Sequence, residues 1–398
     1  MRRAVRVSVV LVLVACCCGL ARAQSGFGAI DSLVNGAVEE HLLPGAVVVV
    51  GHGGHVVFRK AYAERSLEPA REAMTVDTIF DMASLTKCLA TATAVMQLDQ
   101  RGDFRFDDPV ARYLPAFGAN GKQDITIREL LTHYSGLPPD LPLTEPWEGK
   151  GTAYQMAFAI APAGPPGEKF VYSDINYIVL GALVEKLSGM TLDAYAKRFI
   201  FEPLGMRHTR YLPPEEWIAQ IAPTEYEHGK SAYGVAGLAT GPGDVILRGV
   251  VHDPTSRRMG GVAGHAGVFS TADDVAIYAQ NLLDRLAGRP SRFPLSRRVL
   301  EMMVKPEQPA GGKAVRGFGW DIDSPYSSNR GTIFPVGSFG HTGFTGTSLW
   351  MDPASDTYVI VLANSVHPDG PKRITVLRGK VADAAAMAVG AGRERGVH

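Results

Sequence analysis

Apolar positions are spaced differently at the two ends of the chain and in its middle. Near the start, Pro44-Gly45 opens the β-branched run Ala46-Val47-Val48-Val49-Val50, and Gly51-His52-Gly53-Gly54 leads on to Val56-Val57-Phe58. A β-branched run, a glycine-rich turn and a second apolar run predict a β-hairpin. Near the end, Ser338 to Trp350 reads as strand, Asp352 to Asp356 as a turn, and Tyr358-Val359-Ile360-Val361-Leu362 as a strand that completes another hairpin. A last helix is expected over about 373–388. Between these ends the period lengthens. Ile30 to Leu42 has mixed helical spacing. Ala90 to Leu98 is apolar on nearly all sides, which predicts a buried helix ending near Gln100-Arg101-Gly102. Shorter helices are expected from Asp107 to Leu114 and from Ile125 to Thr132, the second closed by His133-Tyr134-Ser135-Gly136. Longer ones are expected over Ile175 to Leu187, stopped by Ser188-Gly189, and over Ala272 to Leu286, starting at Thr271. The order is strands, a helical middle, then strands and a helix. It predicts an α/β chain of the α+β type: an antiparallel sheet flanked by helices, with an inserted mainly helical subdomain. The sheet parts are expected at about 28–80 and 310–390 and the helical middle at about 81–260, within one domain spanning 24–398.

Composition narrows the function classes. Forty basic residues balance forty acidic ones in 398, and no basic stripe appears, so nucleic acid is not an expected partner. The first residues, Met1 to Arg6, are basic, Val7 to Leu20 is an apolar stretch too short to span a bilayer comfortably, and Ala21-Arg22-Ala23 has the form of a cleavage site. This reads as an export signal over 1–23, giving a periplasmic or secreted protein. Leu13-Val14-Ala15-Cys16 offers a competing reading, a lipid anchor at Cys16. No later segment is long and apolar enough to span a membrane. Of the 4 cysteines, only Cys88 lies beyond this leader, so no intramolecular disulfide framework is expected. Its apolar helical surroundings make Cys88 a packing residue. His52 and His55 lack the accompanying ligands of a metal site. Gly260 to Gly267 lacks the G-K-[ST] ending of a phosphate loop and reads as a tight turn between subdomains.

Candidate chemistry begins at Ser84-Leu85-Thr86-Lys87, where the buried helix opens. Residues three apart share a helix face, so a serine hydroxyl and a lysine amine can meet there. A cation in the first turn opposes the macrodipole, and apolar surroundings solvate it poorly. Both effects are expected to lower the Lys87 pKa and leave a base beside a nucleophile. An ordinary surface serine and lysine would carry the same spacing. Tyr172-Ser173-Asp174 stands at the start of a helix, behind two proline-rich loops suited to walling a site, and His341-Thr342-Gly343 lies on a strand.

Together, Ser84-Leu85-Thr86-Lys87, Tyr172-Ser173-Asp174 and His341-Thr342-Gly343 resemble, in chain order, the S-x-x-K, Y-x-N and K-T-G motifs of penicillin-recognising serine hydrolases. The resemblance is to the class C β-lactamase-type family, which includes D-alanyl-D-alanine carboxypeptidases and esterases. Leu130-Leu131-Thr132-His133-Tyr134-Ser135-Gly136-Leu137, Pro203-Leu204-Gly205-Met206, Ser270-Thr271-Ala272-Asp273-Asp274 and Gly317-Phe318-Gly319-Trp320 extend it over nearly all of the chain beyond the leader. The resemblance implies a β-lactamase/transpeptidase-like fold, with Ser84 as the acylated nucleophile and Lys87 and Tyr172 sharing proton transfer. It also implies an oxyanion hole of backbone N–H groups from Ser84 and Phe344, and substrate contacts from Asp174, His341, Thr342 and Gly343.

Two departures bear on the substrate. Asp174 stands where the motif has asparagine; an ionised carboxylate only accepts hydrogen bonds, and Asp174 could equally cap the following helix. Nearby Asn176 is expected to be turned elsewhere by the helix. His341 stands where the motif has lysine. With an unperturbed pKa near 6.5 it would be mostly neutral at pH 7 and hold a substrate carboxylate weakly. The expected activity is hydrolysis through an acyl-enzyme, without metal or organic cofactor, on cell-wall peptides ending in D-alanine. Carboxylesterase and β-lactamase activities are the alternatives, and a binding or sensor protein that acylates without turnover is an alternative of another class.

Overall fold

The computed structural model describes residues 26–227 and 245–391. The expected leader over 1–23, including Cys16, lies outside these residues.

An eight-stranded antiparallel sheet forms the frame. Its strands run, in spatial order, Glu72–Ala73, His55–Ser66, Gly45–His52, Thr357–Ala363, Ser348–Asp352, Phe339–Thr342, Asp321–Asp323 and Val315–Arg316. The two ends of the chain meet at its centre, where Val48 lies opposite Val361 and Val50 opposite Val359. Alternate residues of a strand point to opposite faces. Val47 and Val49, with Ile360 and Leu362, face the helical region, whereas Ala46, Val48 and Val50, with Val359 and Val361, face the terminal helices Gly28–Glu39 and Thr375–Val389. Both faces are covered, which is why the Ala46-to-Val50 run is continuously apolar and not alternating. Each fully buried valine contributes about 1.5–3 kcal/mol.

The expected elements differ from the observed ones in instructive places. Ser338 to Trp350 is two strands, Phe339–Thr342 and Ser348–Asp352, joined by a tight turn. The expected helix from Asp107 to Leu114 is only the 3₁₀ turn Val110–Arg112, because Pro109 sits in an extended conformation before it. Thr126 forms a full capping box with Glu129, starting the Ile127–Thr132 helix two residues later than expected. A helix that was not expected, Lys150–Ala159, follows the first proline-rich loop. The Ser-Lys segment is not a plain α-helix: a 3₁₀ turn, Ala83–Leu85, leads to a π-wound turn, Lys87–Ala92, and then to the α-helix Thr93–Arg101. The Thr93 hydroxyl donates to the Cys88 carbonyl at 2.9 Å, satisfying backbone within the widened turn. Cys88 itself is free and buried, and burial pushes its thiol up, as suits a packing residue.

Gly260 to Gly267 is not a turn between subdomains. From Gly261 on it is a buried loop pressed against the helix Asp174–Ser188, and a Cβ on Gly264 would lie 1.9 Å from the Tyr177 carbonyl oxygen. Only glycine allows that approach, which brings His265 to the back of the site.

Candidate active site

The turn that presents Ser84 is held from below. Ala83 has φ +45, an unfavourable conformation for a residue with a Cβ. Its N–H donates to Asp81 Oδ1 at 2.8 Å, and Asp81 Oδ2 accepts from the His252 N–H at 2.7 Å. The hairpin turn after Phe339–Thr342 is stitched to the same segment: Thr345 Oγ1 donates to the Asp81 carbonyl at 2.8 Å and Thr347 Oγ1 to the Met82 carbonyl at 3.1 Å. Gly343 lets the two backbones close, since a Cβ there would sit 2.1 Å from Thr347 Oγ1 and 2.5 Å from the Met82 carbonyl oxygen. Residues 260 positions apart in sequence, Ser84 and Phe344, thereby line one cavity of about 420 Å³. Asp81, Thr345 and Thr347 gave no signal in the sequence, because their role exists only once the hairpin meets the turn.

Ser84 is partly exposed, and Lys87 Nζ donates to its Oγ at 2.8 Å from a fully buried position. The ammonium also donates to the His265 carbonyl at 3.2 Å and lies 2.5 Å from Asp174 Oδ1 as an ion pair. Burial pulls the Lys87 amine down, as expected, but the Asp174 carboxylate and the Tyr172 oxygen outweigh it, and the group ends above the ordinary lysine value. The expectation of a depressed Lys87 is therefore corrected: the sequence showed the burial but not the counter-ion. Asp174 is the first residue of the helix, after Ser173 at the N-cap position, and its side chain makes no cap. Its carboxylate turns to Lys87 instead.

Tyr172 interacts with both Lys87 and Ser84 through its hydroxyl. Burial raises its pKa, Lys87 opposes this, and the balance stays above the ordinary phenol value. The ring stacks on His133 at 4.4 Å and lies 5.0 Å from Tyr326. His133 is itself buried and set by its neighbours: Nδ1 accepts from the Ser173 N–H at 3.1 Å and meets Asn176 Nδ2 at 3.2 Å. Asn176 is thus turned away from the cavity, as the helix geometry required, and its Oδ1 accepts from Ser135 Oγ at 2.5 Å.

His341 lines the cavity with Thr342 and Gly343, but it is only 4% exposed. Its Nδ1 donates to the Thr342 carbonyl at 2.8 Å. Burial, with Arg316 and Lys87 nearby, pushes the imidazole well below 6.5. The expectation of an ordinary histidine pKa is corrected; His341 is neutral throughout the neutral range and offers an Nε2 acceptor. A cation in the lining that the sequence did not single out is Arg378 on the C-terminal helix. Its Nη2 donates to the Gly343 carbonyl at 3.1 Å, and its buried Nε has no hydrogen-bond partner among the described residues. Burial lowers it to about 10, with no carboxylate to offset the effect. Lys372 and Arg373 join it in the lining, and among the described residues no aspartate or glutamate does. A larger cleft, about 780 Å³ beside His41 and His367, has among the described residues no serine or cysteine in its lining and no nucleophile–base pair.

The arrangement can hold an anion at one end of a cavity and present an activated hydroxyl at the other. Comparison with known proteins agrees with this geometry. The family model described as Beta-lactamase matches residues 30–382. A protein of Escherichia coli (strain K12) named "Putative D-alanyl-D-alanine carboxypeptidase" is 30% identical over 351 residues, covering 81% of this chain and 79% of the relative. An "N-acetylmuramyl-L-alanine amidase" of Bacillus subtilis (strain 168) is 33% identical over 351 residues, covering 81% and 78%. Among solved structures, "EstCE1, a hydrolase with promiscuous acyltransferase activity" aligns with TM-score 0.71 at 23% identity, covering 91% of this chain and 99% of that one. A class C β-lactamase from Rhodobacter sphaeroides aligns with TM-score 0.67 at 21% identity, covering 91% and 99%. The two structural likenesses concern the fold, a mixture of helices and antiparallel sheet. With a family match over most of its length and relatives at this identity, the chain belongs to the β-lactamase family and is a serine hydrolase.

Proposed function

We propose that this protein is an exported hydrolase that acylates Ser84 and cleaves cell-wall peptides ending in D-alanine. The observation that carries the reading is one cavity with Ser84 Oγ, 2.8 Å from Lys87 Nζ, on one side and the carboxylate-free cationic group of Arg378 on the other. A substrate that carries a terminal carboxylate close to a scissile carbonyl fits both ends at once. The leader over 1–23 would deliver the enzyme to peptidoglycan. The names of the relatives from Escherichia coli and Bacillus subtilis also point to the cell wall.

In this reading Arg378 holds the carboxylate by charge-assisted hydrogen bonds, with Thr342 and neutral His341 beside it. Backbone N–H groups of Ser84 and Phe344 receive the carbonyl oxygen as it becomes an oxyanion. Once the group formed by Ser84, Lys87 and Tyr172 has lost one proton, Ser84 Oγ attacks the carbonyl carbon and its proton passes to the Tyr172 phenolate, while the Lys87 ammonium steadies the charge. Tyr172 then gives that proton to the leaving amine as the C–N bond breaks, leaving an acyl-enzyme. Water repeats the sequence to release the acid.

A second reading, a carboxylesterase, draws on the cavity mouth, where Phe344 and Tyr326 are large exposed hydrophobics. Such a rim suits an uncharged ester. The test is incubation with a D-Ala-D-Ala peptide, a p-nitrophenyl ester and a fluorescent penicillin, with turnover and intact mass followed together. The peptide reading expects turnover of the peptide and an adduct on Ser84 that Ser84→Ala abolishes. Ester turnover without peptide turnover transfers the assignment to the esterase, and a persistent adduct without turnover marks a sensor.

A further inference from the structure

Asp174 stands where the motif resembled by this sequence has asparagine, and the structure gives it a partner that an asparagine could not neutralise. Its carboxylate reaches 2.5 Å from Lys87 Nζ, and the lysine side chain is completely buried while the Asp174 side chain is 21% exposed. The ammonium also donates to the Ser84 hydroxyl and the His265 carbonyl and meets the Tyr172 hydroxyl. We propose that Asp174 is the fixed counter-ion that keeps Lys87 an ammonium, and that it thereby sets the pH at which Tyr172 can take the proton of Ser84. This rests on the acyl-enzyme reading of the site and not on which substrate is cleaved.

Catalytic competence requires one proton to leave the group formed by Ser84, Lys87 and Tyr172, because an ammonium and a phenol cannot both be present and still accept the serine proton. A neighbouring carboxylate makes that loss harder, since it favours the more positive state of the group. Asp174 acts on both members, raising Lys87 and raising Tyr172. Other charges face the same centre. From the Gly-rich loop, His265 Nε2 meets Asp253 Oδ1 at 2.8 Å, with Asp140 close to that pair and to Asp174. From the sheet come Arg316, ion-paired to Asp321 at 2.7 Å, and neutral His341; His133 behind Tyr172 is also neutral, its pKa lowered by burial. Tyr177, on the same helix as Asp174, lies with its ring 5.7 Å from Lys87 Nζ. The His265–Asp253 and Arg316–Asp321 pairs largely cancel internally. Asp174 is the carboxylate in direct contact with Lys87, so its replacement acts on the lysine first.

Asp174 is thus a positioning residue, working through Lys87 and Tyr172. The experiment measures kcat/KM for p-nitrophenyl acetate from about pH 5 to about pH 10. In parallel, the rate of fluorophosphonate labelling of Ser84 is followed by intact mass. The proteins are wild type, Asp174→Asn and Asp174→Glu, with folding checked by thermal unfolding. In wild type the acid limb should lie above neutrality in both readouts. Asp174→Asn should move it down by at least one pH unit, a relative gain of about tenfold on the limb, and Asp174→Glu should restore the wild-type limb. Coincident limbs in wild type and Asp174→Asn, or an upward shift, overturn the proposal. A wild-type limb that lies below about pH 6 overturns it without any variant, which covers the case of an Asp174→Asn protein that does not fold. Absence of Ser84 labelling in wild type would instead remove the acyl-enzyme reading on which the proposal stands.

Discussion

Replacing Arg378 by methionine separates its binding role from its structural role, because the two effects have opposite signs. Arg378 is 8% exposed, and burial alone brings its pKa down from the ordinary arginine value to about 10. A folded-state value below the unfolded one means the cation is disfavoured by folding, so the destabilisation is present at every pH below about 10 and fades only above it. At about 1.4 kcal/mol per tenfold change in proton affinity, the burden is roughly 3 kcal/mol at neutral pH. Losing the donor to the Gly343 carbonyl gives back about 1 kcal/mol. Arg378→Met should therefore be more stable than wild type by about 1–2 kcal/mol, in line with apolar replacement of buried charge, read as a higher urea midpoint with an unchanged m-value. The same change removes a charge-assisted hydrogen bond to a substrate carboxylate, worth about 1.5–3 kcal/mol. The kcat/KM for a D-Ala-D-Ala peptide should fall roughly 10- to 150-fold while that for p-nitrophenyl acetate changes little. Equal losses on the two substrates, or a destabilised protein, would refute the assignment of Arg378 as a carboxylate anchor.

Lys87→Ala and Tyr172→Phe should each lower Ser84 acylation by orders of magnitude, and the double variant should lose little more, since the residues act as one unit; additive losses in stopped-flow acylation would reduce Tyr172 to a packing role. His341 is pushed well below 6.5, so the unfolded chain binds a proton there before the folded one does, and stability that is complete above about pH 6.5 is lost as pH falls below it. His341→Gln should flatten part of that decline in calorimetric Tm between about pH 7 and pH 5, and an unchanged slope would show the imidazole is not held neutral. Gly264→Ala would force its Cβ to within 1.9 Å of the Tyr177 carbonyl oxygen. It should destabilise by about 1–3 kcal/mol or more and lower acylation by displacing the His265 carbonyl from Lys87, whereas Gly121→Ala, in open space though at positive φ, should spare acylation.

Much of this fold was legible in one dimension because local rules and tertiary packing agree. The valine run at 46–50 and the run at 358–362 read as strands on β-propensity alone, and both lie at the centre of the sheet. The helix after Thr271 starts where its capping pattern places it. Ser84 and Lys87 were readable as a pair because three-residue spacing is a local property of a helical turn, and even the unexpected 3₁₀-to-π path preserves their contact at 2.8 Å.

What the sequence could not express is anything that depends on charge meeting charge across the fold. Lys87 looked like an amine depressed by burial, and it is instead an ammonium, because Asp174, 87 positions away, turns toward it and not toward its own helix end. His341 looked like an ordinary histidine until Arg316, Lys87 and the loss of water were placed around it. Arg378 shares its helix with Lys380 and Asp383, so nothing local marks it; only the packing of that helix on the sheet carries it to the cavity that holds Ser84. Hydrogen bonding along a turn and alternation along a strand are short-range and survive in sequence. Desolvation and Coulomb energy depend on what surrounds a group in space, and for this protein only the tertiary structure decides them.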